Sequence, residues 1–235
     1  MSRLANFFVP KEFYHLYNRG VEKRPIFISN SNKDRFLSLL YLCNSNTPIH
    51  RSDYIDKSLP DLLVVEREKT LVDIGAYCLM PNHFHLLIHE RIEKGISTFM
   101  QKLATAYTMY FNKLNERDGA LFQGNFKAEH LTTDNYLKYI FAYIHLNPIG
   151  IIDRNWKQHE IKSKKAAIKF LNNYPYSSYL DYINNGSRYP EGNILDKSAF
   201  PEYFLTPKDF RSHLQDWLDL AKECHKECQG ETLTL

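Results

Sequence analysis

Apolar and polar positions along this chain change period several times, and each change marks a predicted element. Phe13 to Asn18 reads as a strand, closed by a turn at Arg19-Gly20. From Asp34 to Cys43 the spacing becomes helical, with Phe36, Leu39, Leu40 and Cys43 on one face and Asn or Ser residues ahead of it as candidate caps. Pro48 to Lys69 is irregular and charged, with a short element at Leu62–Val65. Leu71 to Met80 reads as a strong strand in which Val72, Ile74, Ala76, Cys78 and Met80 alternate on one side. Pro81-Asn82 punctuates a turn and His83 to His89 forms a second strand, which predicts a hairpin. Ile96 to Leu114 is the clearest helix, carried by Ile96, Phe99, Met100, Leu103, Tyr107, Phe111 and Leu114, and Asp118-Gly119 ends that segment. Phe126 to Leu131 predicts another strand. Thr133 caps the helix that follows, Asp134 suits its first turn, and Pro148 stops it near Asn147.

Strand, helix, two strands, helix, strand, helix is the order of an α+β fold, a sheet with helices packed on it. Residues 1–150 make one predicted domain. Residues 151–235 are more polar and turn-rich and make a C-terminal extension, mostly helical or irregular, packed on the first domain. There is no internal repeat and no low-complexity tract.

Composition changes this picture little. The 235 residues are 43% hydrophobic, enough for a real core. The net charge of +3, from 30 Lys+Arg against 27 Asp+Glu, does not by itself indicate nucleic acid, so any basic patch has to come from local clustering. Aromatics at 14% fill cores more often than they stack on unpaired bases. No apolar run approaches a membrane span, and Met1-Ser2-Arg3-Leu4 lacks the apolar core of a signal peptide. Cys43, Cys78, Cys224 and Cys228 are too few for a disulfide framework, and a cytoplasmic protein is expected. Cys224, His225 and Cys228 have no second Cys/His pair at finger spacing and read as incidental.

Two short stretches carry candidate chemistry. In His83-Phe84-His85 the imidazoles share one face of a strand, while Phe84, Leu86 and Ile88 point into the opposite layer. Two neutral nitrogens on one face suit a divalent transition metal, and added oxygen ligands let Mn or Mg compete. An H-x-H alone is more often a polar strand face. His89 shares that face, and His15 is a neighbour on the first strand better suited to a hydrogen bond. In the segment Asn135 to Pro148, Leu137, Ile140, Phe141 and Ile144 form an apolar stripe, with Tyr136, Tyr139, Tyr143 and Asn147 along its flank. Tyr143 and Asn147, four apart, are surface neighbours, an arrangement that suits a nucleophile beside a metal ligand and equally suits tyrosines lining a core edge.

Taken together, Met80-Pro81-Asn82-His83-Phe84-His85-Leu86-Leu87 resembles the HUH motif of the single-tyrosine transposases, the insertion-sequence 200-like group, and Tyr143-Ile144-His145-Leu146-Asn147-Pro148 resembles their tyrosine motif. Tyr14-His15-Leu16-Tyr17-Asn18-Arg19-Gly20, Leu121-Phe122-Gln123-Gly124-Asn125-Phe126-Lys127 and Tyr174-Pro175-Tyr176-Ser177-Ser178-Tyr179 are similar, more narrowly, to the REP-associated tyrosine transposases. The resemblance covers residues 10–182 in order. It departs at Asn125, where the family often has Arg, which weakens one phosphate contact.

The resemblance implies a ferredoxin-like antiparallel sheet flanked by helices. It also implies metal-dependent cleavage and rejoining of single-stranded, hairpin-bearing DNA through a 5′-phosphotyrosine, which is DNA transposition. Carried over residue by residue, His83, His85 and Asn147 hold Mg or Mn and Tyr143 is the nucleophile. Tyr139, one turn earlier, is a possible second nucleophile, less well matched in spacing. Arg19, Lys23, Arg24, Lys102, Lys127 and Lys138 are candidate phosphate contacts, although each alone reads as a solvated charge. Lys157, Lys162, Lys164, Lys165 and Lys169 form a basic run that suits either a hairpin stem or plain solvation. Members of the family act as monomers or as homodimers that exchange the tyrosine helix. The competing reading is a domesticated protein that recognises structured DNA repeats without mobilising an element.

Overall fold

A computed structural model of the chain describes residues 8–48, 50–156, 161–184 and 188–220. Its centre is a four-stranded sheet in the order β2-β3-β1-β4, formed by β1 (Phe13–Arg19), β2 (Asp73–Met80), β3 (His83–His89) and β4 (Lys127–His130). Every neighbouring pair is antiparallel. Together with α1 (Asn30–Leu42), α2 (Leu59–Leu62) and α3 (Gly95–Leu114), this gives the βαββαβ order and strand arrangement of a ferredoxin-like fold.

The helix α1 starts four residues before the position its apolar spacing predicts. Ser29 and Asn32 explain the difference. The Ser29 hydroxyl accepts from the Asn32 amide, and the Asn32 side chain accepts from the Ser29 amide, a reciprocal cap that begins the helix at Asn30. The short element expected at Leu62–Val65 is the single turn α2, which begins earlier, where the Asp61 carboxylate accepts from both the amide and the hydroxyl of Ser58. α1 and α3 cover one face of the sheet, where Phe36, Leu40, Phe99, Leu103 and Tyr107 pack against Leu16, Phe84, Leu86 and Ile88.

The other face receives α4 (Asp134–Leu146), capped by Thr133, whose hydroxyl accepts from the Tyr136 amide. Leu137, Ile140, Phe141 and Ile144 pack on Ala76, Cys78, Met80 and Leu87. Here the predicted alternation of β2 is corrected. Ile74 and Val72 belong to the α1/α3 side, whereas Ala76, Cys78 and Met80 belong to the α4 side. A bulge between Ile74 and Ala76 shifts the phase by one residue. Gly75 sits at the irregularity with the Phe200 ring against it; a Cβ there would lie 2.6 Å from the ring.

Beyond α4 the chain continues as α5 (Ile149–Ile152), α6 (Lys164–Leu171), α7 (Tyr179–Ile183) and α8 (Pro207–Leu220). Ala142 and Leu146 of α4 join Trp156, Leu171, Phe210, Leu214 and Leu218 in a second core, so α4 is packed on two sides. Residues 176–178 bond along the outer edge of β2: the Leu79 amide donates to Tyr176, and the Ser178 amide to Tyr77. Among the described residues, no helix is long and apolar enough to cross a membrane.

Candidate active site

The site lies on the α4 face of the sheet. Strand pairing sets Tyr17 opposite His85, Arg19 opposite His83, His15 opposite Leu87 and, on the other side of β1, His15 opposite Glu129. Directly opposed residues share a face, so His83, His85, His15, Tyr17 and Glu129 converge there. The His83 and His85 rings meet edge to face with centroids 4.9 Å apart. Tyr143 reaches down from α4, its ring 5.4 Å from His85 and 5.8 Å from His15, edge-on to both.

His83 Nδ1 lies 2.7 Å from the Asn82 side-chain oxygen. His85 is 1% exposed, and its Nδ1 lies 2.9 Å from Nε2 of the equally buried His15. On the far side of His15, Glu129 Oε2 stands 3.8 Å from Nδ1, a charge contact longer than a hydrogen bond. Glu129 accepts from the Tyr17 hydroxyl at one oxygen and from the Tyr136 hydroxyl at the other, both at 2.9 Å. Burial raises the Glu129 pKa, but the contacts from His15, Tyr136 and Tyr17 outweigh it and hold the carboxyl below the usual range. Burial, followed by the charge of Glu129, raises the Tyr17 pKa and keeps that phenol protonated.

Asn147 ends α4 one turn beyond Tyr143 and is 3% exposed. Its neighbour Gly150 lies beside Met80, so this end of α4 faces the His83 end of the hairpin. The Asn147 amide nitrogen is buried without a hydrogen-bond partner. A half-turn of the amide exchanges its nitrogen and oxygen. Two imidazoles and one amide oxygen are a mixed nitrogen and oxygen donor set of the kind a divalent ion takes, and the oxygen lets Mn compete with softer metals.

The other candidates divide. Asn82 Nδ2 donates to the Lys23 carbonyl, and Gly20, Ile26 and Phe27 amides donate to Asn82 and Pro81 carbonyls, so the Arg19–Arg24 segment wraps the hairpin turn next to His83. Arg19 donates to Gln123, and Arg24 pairs with Glu22 at 2.6 Å. Lys127 enters from β4, its ammonium 5.9 Å from the Tyr17 ring. Lys102 is not part of this group. It lies on α3 behind the sheet and donates to the Ser45 carbonyl. Lys138 lies roughly 140° around α4 from Tyr143, paired with Asp134 and placed over Tyr203. Tyr139 packs on Trp217 of α8. His89 is bound to Asp73 at 2.8 Å. Lys164 pairs with Asp219. Lys157, Cys224, His225 and Cys228 lie outside the described residues.

The sequence reading did not single out Tyr17 and Glu129. The alternation of β1 puts His15 and Tyr17 on one face, which was a usable signal, whereas nothing local to Glu129 announces its partners.

Residues 38–147 match the family model described as "Transposase IS200 like", a span that holds His83, His85, Tyr143 and Asn147. No curated protein sequence matches the chain. Among solved structures the chain is similar to one titled "Structure of the REP associates tyrosine transposase bound to a REP hairpin", at 13% identity and a TM-score of 0.49, with 87% of this chain and 99% of that one covered.

Proposed function

We infer, from the match of residues 38–147 to the IS200-like transposase family model, that the site cuts and rejoins single-stranded DNA with Tyr143 as its nucleophile. The observation that carries this reading is the edge-on contact of Tyr143 with His85, 5.4 Å between ring centroids, on the strand face that also holds His83. His83, His85 and Asn147 are the residues that would hold the metal. A divalent Mg or Mn there supplies charge stabilisation to the scissile phosphate and orients it.

The chain's own residues do the rest. The Tyr143 phenol oxygen attacks phosphorus. The Tyr143 O–P bond forms as the bond from phosphorus to the 3′-oxygen breaks, leaving a 5′-phosphotyrosine and a strand ending in a 3′-oxygen. The proton lost from the phenol balances the one that oxygen takes up. Attack by another 3′-hydroxyl reverses the step and joins strands without an external energy source. Arg19, Lys23, Arg24 and Lys127, from the segment at the His83 end and from the β4 edge, would contact the DNA backbone. Tyr17 and Tyr136 are bound to Glu129 and do not compete as nucleophiles. The substrate is hairpin-bearing single-stranded DNA, as the five sequence motifs imply.

The test is incubation of the protein with labelled hairpin-bearing single strands and Mn2+, followed by a denaturing gel. We expect a covalent protein–DNA adduct that EDTA prevents and added Mn2+ or Mg2+ restores. Undiminished adduct in chelator overturns the metal role. Hairpin binding with no adduct under any condition favours a DNA-binding protein without cleavage.

A further inference from the structure

We propose that Glu129 and His15 are positioning residues that fix the tautomer of His85, so that the nitrogen facing a metal carries a lone pair rather than a proton. The proposal rests on the reading of His83 and His85 as ligands.

The argument is a count of protons along one line of atoms. His15 Nε2 and His85 Nδ1 are 2.9 Å apart and both buried, so one donates and the other accepts. A neutral imidazole has one of each. In one arrangement His85 donates from Nδ1. The proton of His15 then sits on its own Nδ1, towards Glu129, and His85 Nε2 has a lone pair. In the other, His15 donates from Nε2. Its bare Nδ1 then confronts a carboxylate, and His85 Nε2 carries a proton and cannot bind a metal.

Glu129 decides between them. It accepts from two phenol hydroxyls, Tyr17 at Oε1 and Tyr136 at Oε2, a pattern that suits an acceptor-only carboxylate. Its negative charge stands 3.8 Å from His15 Nδ1. A proton on Nδ1 is attracted there and a lone pair is repelled. The carboxylate thus sets His15, and His15 sets His85. This is the outer-shell arrangement that orients metal-bound histidines, with one additional imidazole between carboxylate and ligand. Strand pairing builds it: His15 on β1 stands opposite Glu129 on β4, and β1 pairs on its other side with β3, the strand of His85. Tyr136 ties the same carboxylate to the first turn of α4, the helix that carries Tyr143.

The test uses the full chain, metal-free and 15N-labelled, with long-range 15N–1H correlation spectra and the His85 signals identified by their loss in His85→Gln. In the parent we expect the His85 proton on Nδ1. In Glu129→Gln the charge is gone, and His85 shifts towards the Nε2-protonated form. Mn2+ affinity, read by the loss of the free-ion electron spin resonance signal, should fall by about tenfold or more. Thermal unfolding of metal-free protein checks that the variant is folded. If Glu129→Gln does not fold, His15→Gln carries the same expectations, because a side-chain amide can donate or accept and imposes neither form. A parent His85 already protonated on Nε2 overturns the proposal, as does a variant with parent-like tautomer and Mn2+ affinity. A parent that binds no Mn2+ fails the metal reading itself, whereas a parent that binds it and a variant that binds equally fail only the role of Glu129.

Discussion

The two flanks of α4 each present a side chain to a buried imidazole environment, and they do opposite things with it. On one flank Tyr143 faces His85 and His15. On the other, His145 is fully buried, its Nδ1 donating to the Phe141 carbonyl and its Nε2 accepting from the Ser178 hydroxyl, both at 2.8 Å. A carbonyl only accepts, so the helix backbone itself dictates the His145 tautomer, and Ser178 occupies the remaining nitrogen. Burial drives the His145 pKa down to about 3, which keeps the ring neutral. That histidine is fully used by the protein and links α4 to residues 177–178 on the sheet edge. Nearness to Tyr143 in sequence therefore says nothing about nearness to the site: residues two apart on a helix point about 200° apart. Burial alone does not separate a structural imidazole from a candidate ligand. The identity of the partner on each nitrogen does.

The comparison can be broken most directly at Tyr143. Tyr143→Phe should fold and bind hairpin DNA as the parent does, yet lose adduct formation by a factor on the order of 10^3 or more, the scale seen when a nucleophile is removed. An adduct retained by this variant would place the nucleophile elsewhere. On the opposite flank, His145→Leu should remove two buried hydrogen bonds, to the Phe141 carbonyl and to Ser178, and cost about 1–3 kcal/mol in chemical denaturation. Its adduct yield per folded molecule should match the parent; a stable but inactive His145→Leu would move that histidine into the site. The smallest effect belongs to Tyr139→Phe. That ring packs on Trp217, a turn or about 5.4 Å along the axis from Tyr143, and adduct formation should stay within roughly twofold. Loss of the adduct in Tyr139→Phe with retention in Tyr143→Phe would reverse the assignment of the two tyrosines.

Local periodicity was enough to read the hairpin, the long helix and the tyrosine helix, because each has one dominant repeat and a recognisable stop. It was also enough to put His83 and His85 on one strand face. Three things were not local. The phase of β2 depends on a bulge at Gly75, where the packing partner, Phe200, lies far along the chain. The His15–His85 and His15–Glu129 contacts depend on strand register between segments separated by 70 and 114 residues, which no single segment encodes. Lys102 was grouped with the site because its charge is legible, while the side of the sheet on which its helix packs is not.

The double packing of α4 has a consequence for mixtures of molecules. Tyr143 meets His85 of its own chain, and the same helix is fastened on its outer side by Trp217 against Tyr139, by His213 near the Lys138 carbonyl, and by Ala142 and Leu146 in the second core. Lending the helix to another copy would require leaving both packings at once. Within one chain, the histidines and the tyrosine are thus held together by the packing of a single helix. A chain defective at His85 and a chain defective at Tyr143 would not repair one another when combined, as they would if the tyrosine were supplied across a pair.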